Sequence, residues 1–178
     1  MTDPREHSWI ETLKNGVAVT LRDLRPDDRE RIAKAVRQLD RESVYTRLFS
    51  YRSELTEAGL DRIMHFDPER EVVLVATIGH GADETVIGSG RYVVSGTVPG
   101  ERSAEVAFMV EEDYHGLGIA GRVLKHLAEI AREHGIRAFE ADVLAENGSM
   151  LAVFARSGLP MTKRREGGTV HVTLSLRS

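Results

Sequence analysis

Glu111, Glu112, Asp113, Tyr114, His115, Gly116, Leu117, Gly118, Ile119, Ala120, Gly121 and Arg122 form the stretch on which the reading of this chain turns. Before it, Ala104 to Val110 alternates in a way that places Val106, Phe108 and Val110 on one face of a strand and Glu105, Ala107 and Met109 on the other. After it, from about Gly118 to His134, Ile119, Val123, Leu127 and Ala131 recur at helical spacing beside Ala120, Leu124 and Ala128. The stretch is therefore a strand-to-helix turn made of glycines. Glycine permits a close backbone turn, and the first free amides of a helix face outward with the positive end of its dipole, which suits an anion and above all a phosphate.

Working outward, three strands are predicted before the turn, Val72 to Ile78, Val86 to Val94 and Ala104 to Val110. Their short, turn-rich connections make an antiparallel meander. Further upstream, Val17, Val19 and Leu21 alternate as a strand that ends at Arg25, Pro26, Asp27 and Asp28, a turn that also suits a helix start. Ile32, Ala35, Val36 and Leu39 then mark one helix, and Leu60, Ile63 and Met64 a second. Downstream, Phe139, Ala141 and Val143 read as a strand and Ser149 to Arg156 as a short helix. Val170, Val172, Leu174 and Leu176 form a last strand after Gly167 and Gly168, with Lys163, Arg164 and Arg165 at the tip of its hairpin.

The first dozen residues are polar and unpatterned. Residues 1–14 are expected to be a flexible segment ahead of one domain over residues 15–178, with order beginning near Val17. No cysteine is present, which excludes disulfides, thiolate metal sites and a cysteine nucleophile. Net charge is -4 with acids and bases interleaved, so the footprint of a nucleic-acid binder is missing. No window approaches the roughly 18 apolar residues of a membrane span, and the start lacks a signal peptide's apolar run, so a cytoplasmic protein is expected. His126 and His134, with Glu129 and Glu133 nearby, are read as a solvated helix face and not a metal site.

Three readings of the glycine turn compete. The glycines could merely permit a tight turn. Gly116, Gly118 and Gly121 also spell G-x-G-x-x-G, with acids at Glu140 and Asp142 about 20 residues on, as in a dinucleotide site. That reading fails on context. Five polar or acidic residues, Glu111 to His115, follow Val110, and a meander stands where a doubly wound sheet needs further strand-helix units. The third reading is coenzyme A, its pyrophosphate on the amides of Gly116 to Gly121 and its pantetheine along Phe108, Met109 and Val110.

His115, Gly116, Leu117, Gly118, Ile119 and Ala120 resemble the Q/R-x-x-G-x-G/A motif of the GNAT superfamily of acetyl-CoA-dependent N-acetyltransferases, with histidine in place of the usual glutamine or arginine. The order of elements from Val17 is also similar to that family's. Asn147, which opens the short helix, matches a further family feature and is equally a good N-cap. More narrowly, Ser43 to Phe49, Glu54, Leu55, Glu71 to Ala76 and Ala104 to Phe108 resemble the acetyltransferase module of bacterial protein-lysine acetyltransferases.

The resemblance implies an α+β GNAT fold, a mixed, mostly antiparallel sheet flanked by helices on both faces. It implies acetyl-CoA as co-substrate with no metal, bound through Phe108, Met109, Val110, His115, Gly116, Leu117, Gly118, Ile119, Ala120, Gly121, Arg122 and Asn147. The acceptor would be an amine, of a protein lysine or a small molecule. Neither nucleic acid nor membrane is an expected partner, and a homodimer is compatible with the reading. A different class also stays open, a module that senses acetyl-CoA without catalysis.

An alkyl amine with a pKa of about 10.4 needs roughly 4.6 kcal/mol to reach its neutral, nucleophilic form at pH 7. Glu105, on the strand proposed to carry the thioester, is the candidate general base. Many family members protonate the leaving thiolate with a tyrosine, but that position here is Phe154. Tyr114 is the nearest alternative, and a thiol of pKa near 8.5 also leaves with help from water alone.

Overall fold

The computed structural model describes residues 7–38, 64, 70–95, 102–110 and 116–176. They form one eight-stranded sheet in the order β1-β2-β3-β4-β5-β6-β8-β7. Its strands are β1 (Ser8–Thr12), β2 (Ala18–Asp23), β3 (Glu71–Ile78), β4 (Thr85–Ser95), β5 (Arg102–Val110), β6 (Ile136–Leu144), β7 (Met161–Glu166) and β8 (Thr169–Ser175). Three helices accompany them, α1 (Arg29–Gln38), α2 (Ile119–Glu133) and α3 (Gly148–Ala155). Neighbouring strands are antiparallel except β5 and β6, which α2 connects and which run parallel. The predicted second helix and the Ser43 to Phe49 connector lie outside the described residues, Met64 apart.

The alternation in the sequence becomes two cores. Leu21, Leu74, Tyr92, Val106, Phe108, Phe139 and Val172 face α2, whose Val123, Leu124 and Leu127 are all but sealed from solvent. On the opposite face Val73, Val75, Val86 and Met109 pack with Leu24 and with Ile32 of α1. Full burial of each such side chain is worth about 1.5–3 kcal/mol, so these faces supply most of the drive to fold. Gly88 and Gly90 bring α2 close to β4. A Cβ on Gly90 would stand 2.5 Å from Val123 Cγ1 and 2.9 Å from the Phe108 ring.

Order does not begin near Val17. Ser8–Thr12 pairs with β2 as the edge strand of the sheet, with Trp9 against Leu21 and Glu11 against Val19. This corrects a second expectation, since β1 covers the flank of α2 that carries His126. His126 is 5% exposed, with its ring stacked at 4.0 Å on Trp9 and Nε2 3.2 Å from Glu11 Oε2. The helix face read as solvated is therefore buried there, and no metal-type cluster occurs among the described residues. Lys163, Arg164 and Arg165 stand within the edge strand β7 and not at its tip, where charge discourages pairing with another chain.

One polar group is locked beneath the second core. The Arg22 guanidinium, 2% exposed, donates to both Asp28 oxygens at 2.8 Å and to Glu84 at 3.1 Å. Asp28 also accepts from the Arg25 amide at 2.7 Å and from Arg31 at 3.0 Å. Burial pushes the Asp28 carboxyl up, but Arg22, the Arg25 amide and Arg31 together outweigh it and hold the group below the usual aspartate range. Such a pair fixes the β2–α1 corner in one geometry. Removing one partner strands the other charge in the core.

Asp28→Asn is accordingly expected to cost about 3–5 kcal/mol and to lower the unfolding midpoint by roughly 10 °C at neutral pH. A carboxyl depressed in the folded state contributes stability above its unfolded pKa of about 3.9 and loses it as the pH falls through the lower folded value. The gap between wild type and variant should thus close on acidification below about pH 4, as thermal melts across a pH series would show.

Candidate active site

The turn between β5 and α2 is built by backbone conformation. Gly116 and Gly118 both lie in the left-handed region, at φ 78° and 93°, and Gly118 caps α2. The first intrahelical bond is Arg122 N–H to Gly118 O at 3.2 Å, so the amides of Ile119, Ala120 and Gly121 have no partner within the helix. They open into a cleft of about 460 Å³ between α2, α3 and β5.

Gly116, Gly118, Ile119, Ala120 and Gly121 form one side of this cleft, and Phe108 and Val110 of β5 form its floor. Asn147 closes it from α3, where its side chain accepts from the Met150 amide at 3.2 Å as the helix N-cap. These predicted residues are brought together. Three others are not. Met109 packs on the opposite face of the sheet, and Leu117 packs against the main core. Arg122 turns back on its own turn, donating to Gly118 O at 3.2 Å and to Thr12 O at 2.8 Å. His115 and Tyr114 lie outside the described residues.

Several lining residues escaped the sequence reading. Lys14, from the β1–β2 connection, and Arg156, at the end of α3, bring two cations to the cleft. Gly148, Ser149 and Val153 of α3 complete the wall. The signal for Lys14 was hidden in the segment expected to be flexible. The α3 residues could have been found from Asn147, because an N-cap at the cleft carries the first turn of its helix with it.

The sheet opens beside this cleft. The β5–β6 ladder runs from Arg102–Ile136 to Glu105–Glu140 and stops, although β5 continues to Val110 and β6 to Leu144. Glu105 is exposed and stands at the last paired position, on the face opposite Phe108. Glu140 beside it accepts from Ser103 Oγ at 3.0 Å and from His171 Nε2 at 3.1 Å. The other ring nitrogen of His171 meets Asp142 at 2.8 Å, and Asp142 first, then Glu140, raise the imidazole above its ordinary pKa. Phe154 is 1% exposed, edge-on to Phe108 with centroids 6.1 Å apart.

Residues 33–159, which include both the parted strands and the glycine turn, match the Acetyltransferase (GNAT) family. The chain belongs to that family and is an acetyltransferase of the kind that uses acyl-CoA. It is 32% identical over 145 residues to Acetyltransferase PA5475 of Pseudomonas aeruginosa, spanning 80% of this chain and 75% of that one. It is 33% identical over 146 residues to Acetyltransferase Pat of Mycolicibacterium smegmatis, covering 82% of this chain and 42% of that longer protein. The solved GNAT domain of S. lividans PAT superposes with a TM-score of 0.83 at 34% identity, over 94% of this chain and 96% of that domain. Among the described residues no helix is long and apolar enough to cross a membrane.

The left-handed cap makes a specific demand. Gly118→Ala forces a side chain into φ 93° and its Cβ onto the Arg122 guanidinium. The backbone alone should cost about 1–2 kcal/mol, a fall of roughly 4 °C in the unfolding midpoint of the unliganded protein. A melt unchanged by the substitution would mean that the turn readily adopts another conformation.

Proposed function

We propose that the chain transfers an acetyl group from acetyl-CoA to an amine, a protein lysine before a small molecule, by direct attack within a ternary complex. The observation that carries the coenzyme reading is a pair of glycines that the fold itself does not need. Gly121 and Gly148 lie in the first turns of α2 and α3 at ordinary backbone angles, and a Cβ on either would meet nothing within 4 Å. Each costs a helix about 1 kcal/mol against alanine. Both border the cleft, and their smallness suits a ligand lying against the backbone.

On this reading the pyrophosphate of acetyl-CoA sits on the amides of Gly118 to Gly121, where the helix dipole favours negative charge. The pantetheine enters the gap beyond Glu105 and Glu140. There the β6-facing backbone of residues 106–109 has no ladder partner among the described residues and offers its groups to the amides of the arm. Asn147 holds the opposite side of the gap. Arg122 braces the turn through the Gly118 and Thr12 carbonyls.

The thioester then lies near the apex of the gap. The amine attacks the carbonyl carbon, the C–S bond breaks and coenzyme A leaves as thiolate, while the proton lost by the amine passes to Glu105 directly or through a water. The chain contains no cysteine, which supports direct attack over a thioester-linked acyl-enzyme. Phe154 has no proton to give, so the thiolate takes its proton from solvent. The resemblance to the acetyltransferase module of bacterial protein-lysine acetyltransferases supports a protein lysine as acceptor, as does the acidic strip of Glu105, Glu140 and Asp142 on the face away from the cleft.

Glu105→Gln decides between an enzyme and a sensor. The variant should lose about 10²- to 10⁴-fold in turnover of a lysine-containing acceptor, followed by thiol release. It should keep the rise in unfolding midpoint that acetyl-CoA gives the wild type, with stabilisation of about 2.7 kcal/mol at 100 times the dissociation constant. Unchanged turnover would remove Glu105 from the mechanism. A wild type stabilised by NAD and not by acetyl-CoA would overturn the coenzyme reading itself.

A further inference from the structure

The β1–β2 connection reaches across to the glycine turn. The Lys14 amide donates to Leu117 O at 3.3 Å, and the Lys14 stem passes over the turn with Cε 3.9 Å from the place where a Cβ on Gly118 would stand. The connection is held from both sides. Leu13 is 3% exposed and its amide donates to Val17 O at 2.9 Å, while Arg122 bonds the Thr12 carbonyl and the Gly118 carbonyl with the two arms of one guanidinium. Glu11 accepts from the buried His126 and lies 3.9 Å from Arg122 Nε. The hairpin is thus tied to α2 through Glu11 and Thr12, just before Lys14. Among the described residues the Lys14 ammonium has no carboxylate partner, although it lines the cleft.

We propose that Lys14 is a coenzyme-binding residue whose ammonium pairs with the pyrophosphate of acetyl-CoA, making the N-terminal hairpin a wall of the coenzyme site. The inference rests on the acetyl-CoA reading above and adds to it a cation that the glycine motif does not contain. Backbone amides supply partial positive charge at fixed positions, whereas a lysine on a flexible stem supplies a full one that follows the phosphates as they settle. Because Lys14 stands over Gly118 itself, the pyrophosphate and not the 3′-phosphate is its partner.

The test uses Lys14→Ala and Lys14→Arg with acetyl-CoA, acetyl-dephospho-CoA, which lacks only the 3′-phosphate, and S-acetylpantetheine, which has no phosphate. Lys14→Ala should raise the Kd for acetyl-CoA and for acetyl-dephospho-CoA by about tenfold each, reduce the salt dependence of binding and leave S-acetylpantetheine unaffected. Lys14→Arg should restore most of the loss. Lys14 is exposed, so the unliganded melts should coincide. The proposal is overturned if binding of acetyl-CoA is unchanged. It is equally overturned if S-acetylpantetheine suffers the same penalty, which would mark a structural effect, or if the penalty vanishes with acetyl-dephospho-CoA, which would mark the 3′-phosphate as the partner. A wild type that binds none of the three brings down the acetyl-CoA reading instead.

Discussion

The site depends on a ladder that stops. β5 is paired along its length with β4, from Ser95–Ser103 to Gly88–Val110, and β6 is paired with β8 from Ala138–Ser175 to Leu144–Thr169. Between these two antiparallel blocks lies a parallel ladder that ends at Glu105–Glu140. Parallel pairing is slightly weaker per residue than antiparallel, so the strands are each committed to their outer neighbour and joined to one another only at the base. The result is a sheet that opens at one end. Two backbone edges that would otherwise satisfy each other are left facing a gap, and a molecule with amides of its own can lie between them.

The helix that spans the gap is held by what the strands lack. Gly88 and Gly90 on β4 remove the side chains that would keep Ile119 and Val123 away, so the first two turns of α2 lie directly on the sheet. This fixes the N-terminus of α2 at the mouth of the opening. The left-handed glycines at 116 and 118 then let the chain arrive there from β5 with its amides turned inward. Sheet, helix position and turn are therefore one device, in which the packing of α2 on β4 places an electropositive backbone beside a strand gap.

Much of this was legible because half-buried elements leave a period in the sequence. α2 and the final strand bury one face more than the other, β3 of the meander is an apolar run buried on both faces, and Val106, Phe108 and Val110 announce the main-core side of β5 directly. β1 gave no such signal for a physical reason. Ile10 points to solvent at 78% exposure beside the polar Ser8 and Thr12, whereas Trp9 and Glu11 point inward against α2, so each face mixes apolar with polar residues and no alternation shows. Missing β1 also meant missing the burial of His126 and the arrival of Lys14. The same limit applies to Arg122. Its place in the motif suggested a ligand contact, but no spacing rule says whether a guanidinium faces a ligand or turns to backbone carbonyls such as those of Gly118 and Thr12.

The two faces of β5 divide the labour that the proposed reaction needs. Phe108 and Val110 face the cleft, whereas Glu105 projects from the other side, about 10 Å along the strand from Phe108. A base on the coenzyme's side would have to share a walled cleft with phosphates, where a second negative charge is disfavoured. On the far face it stands in solvent, next to a Glu140 whose charge is already engaged by Ser103 and His171. An amine arriving from that face meets carboxylates before it meets the thioester, and a cationic amine is drawn to the point where it must lose its proton. A strand is thin enough that a group lodged in the gap can be reached from either side. On the proposed mechanism, the parting of β5 from β6 would let coenzyme and acceptor approach from opposite faces of one sheet, an arrangement that suits a ternary complex.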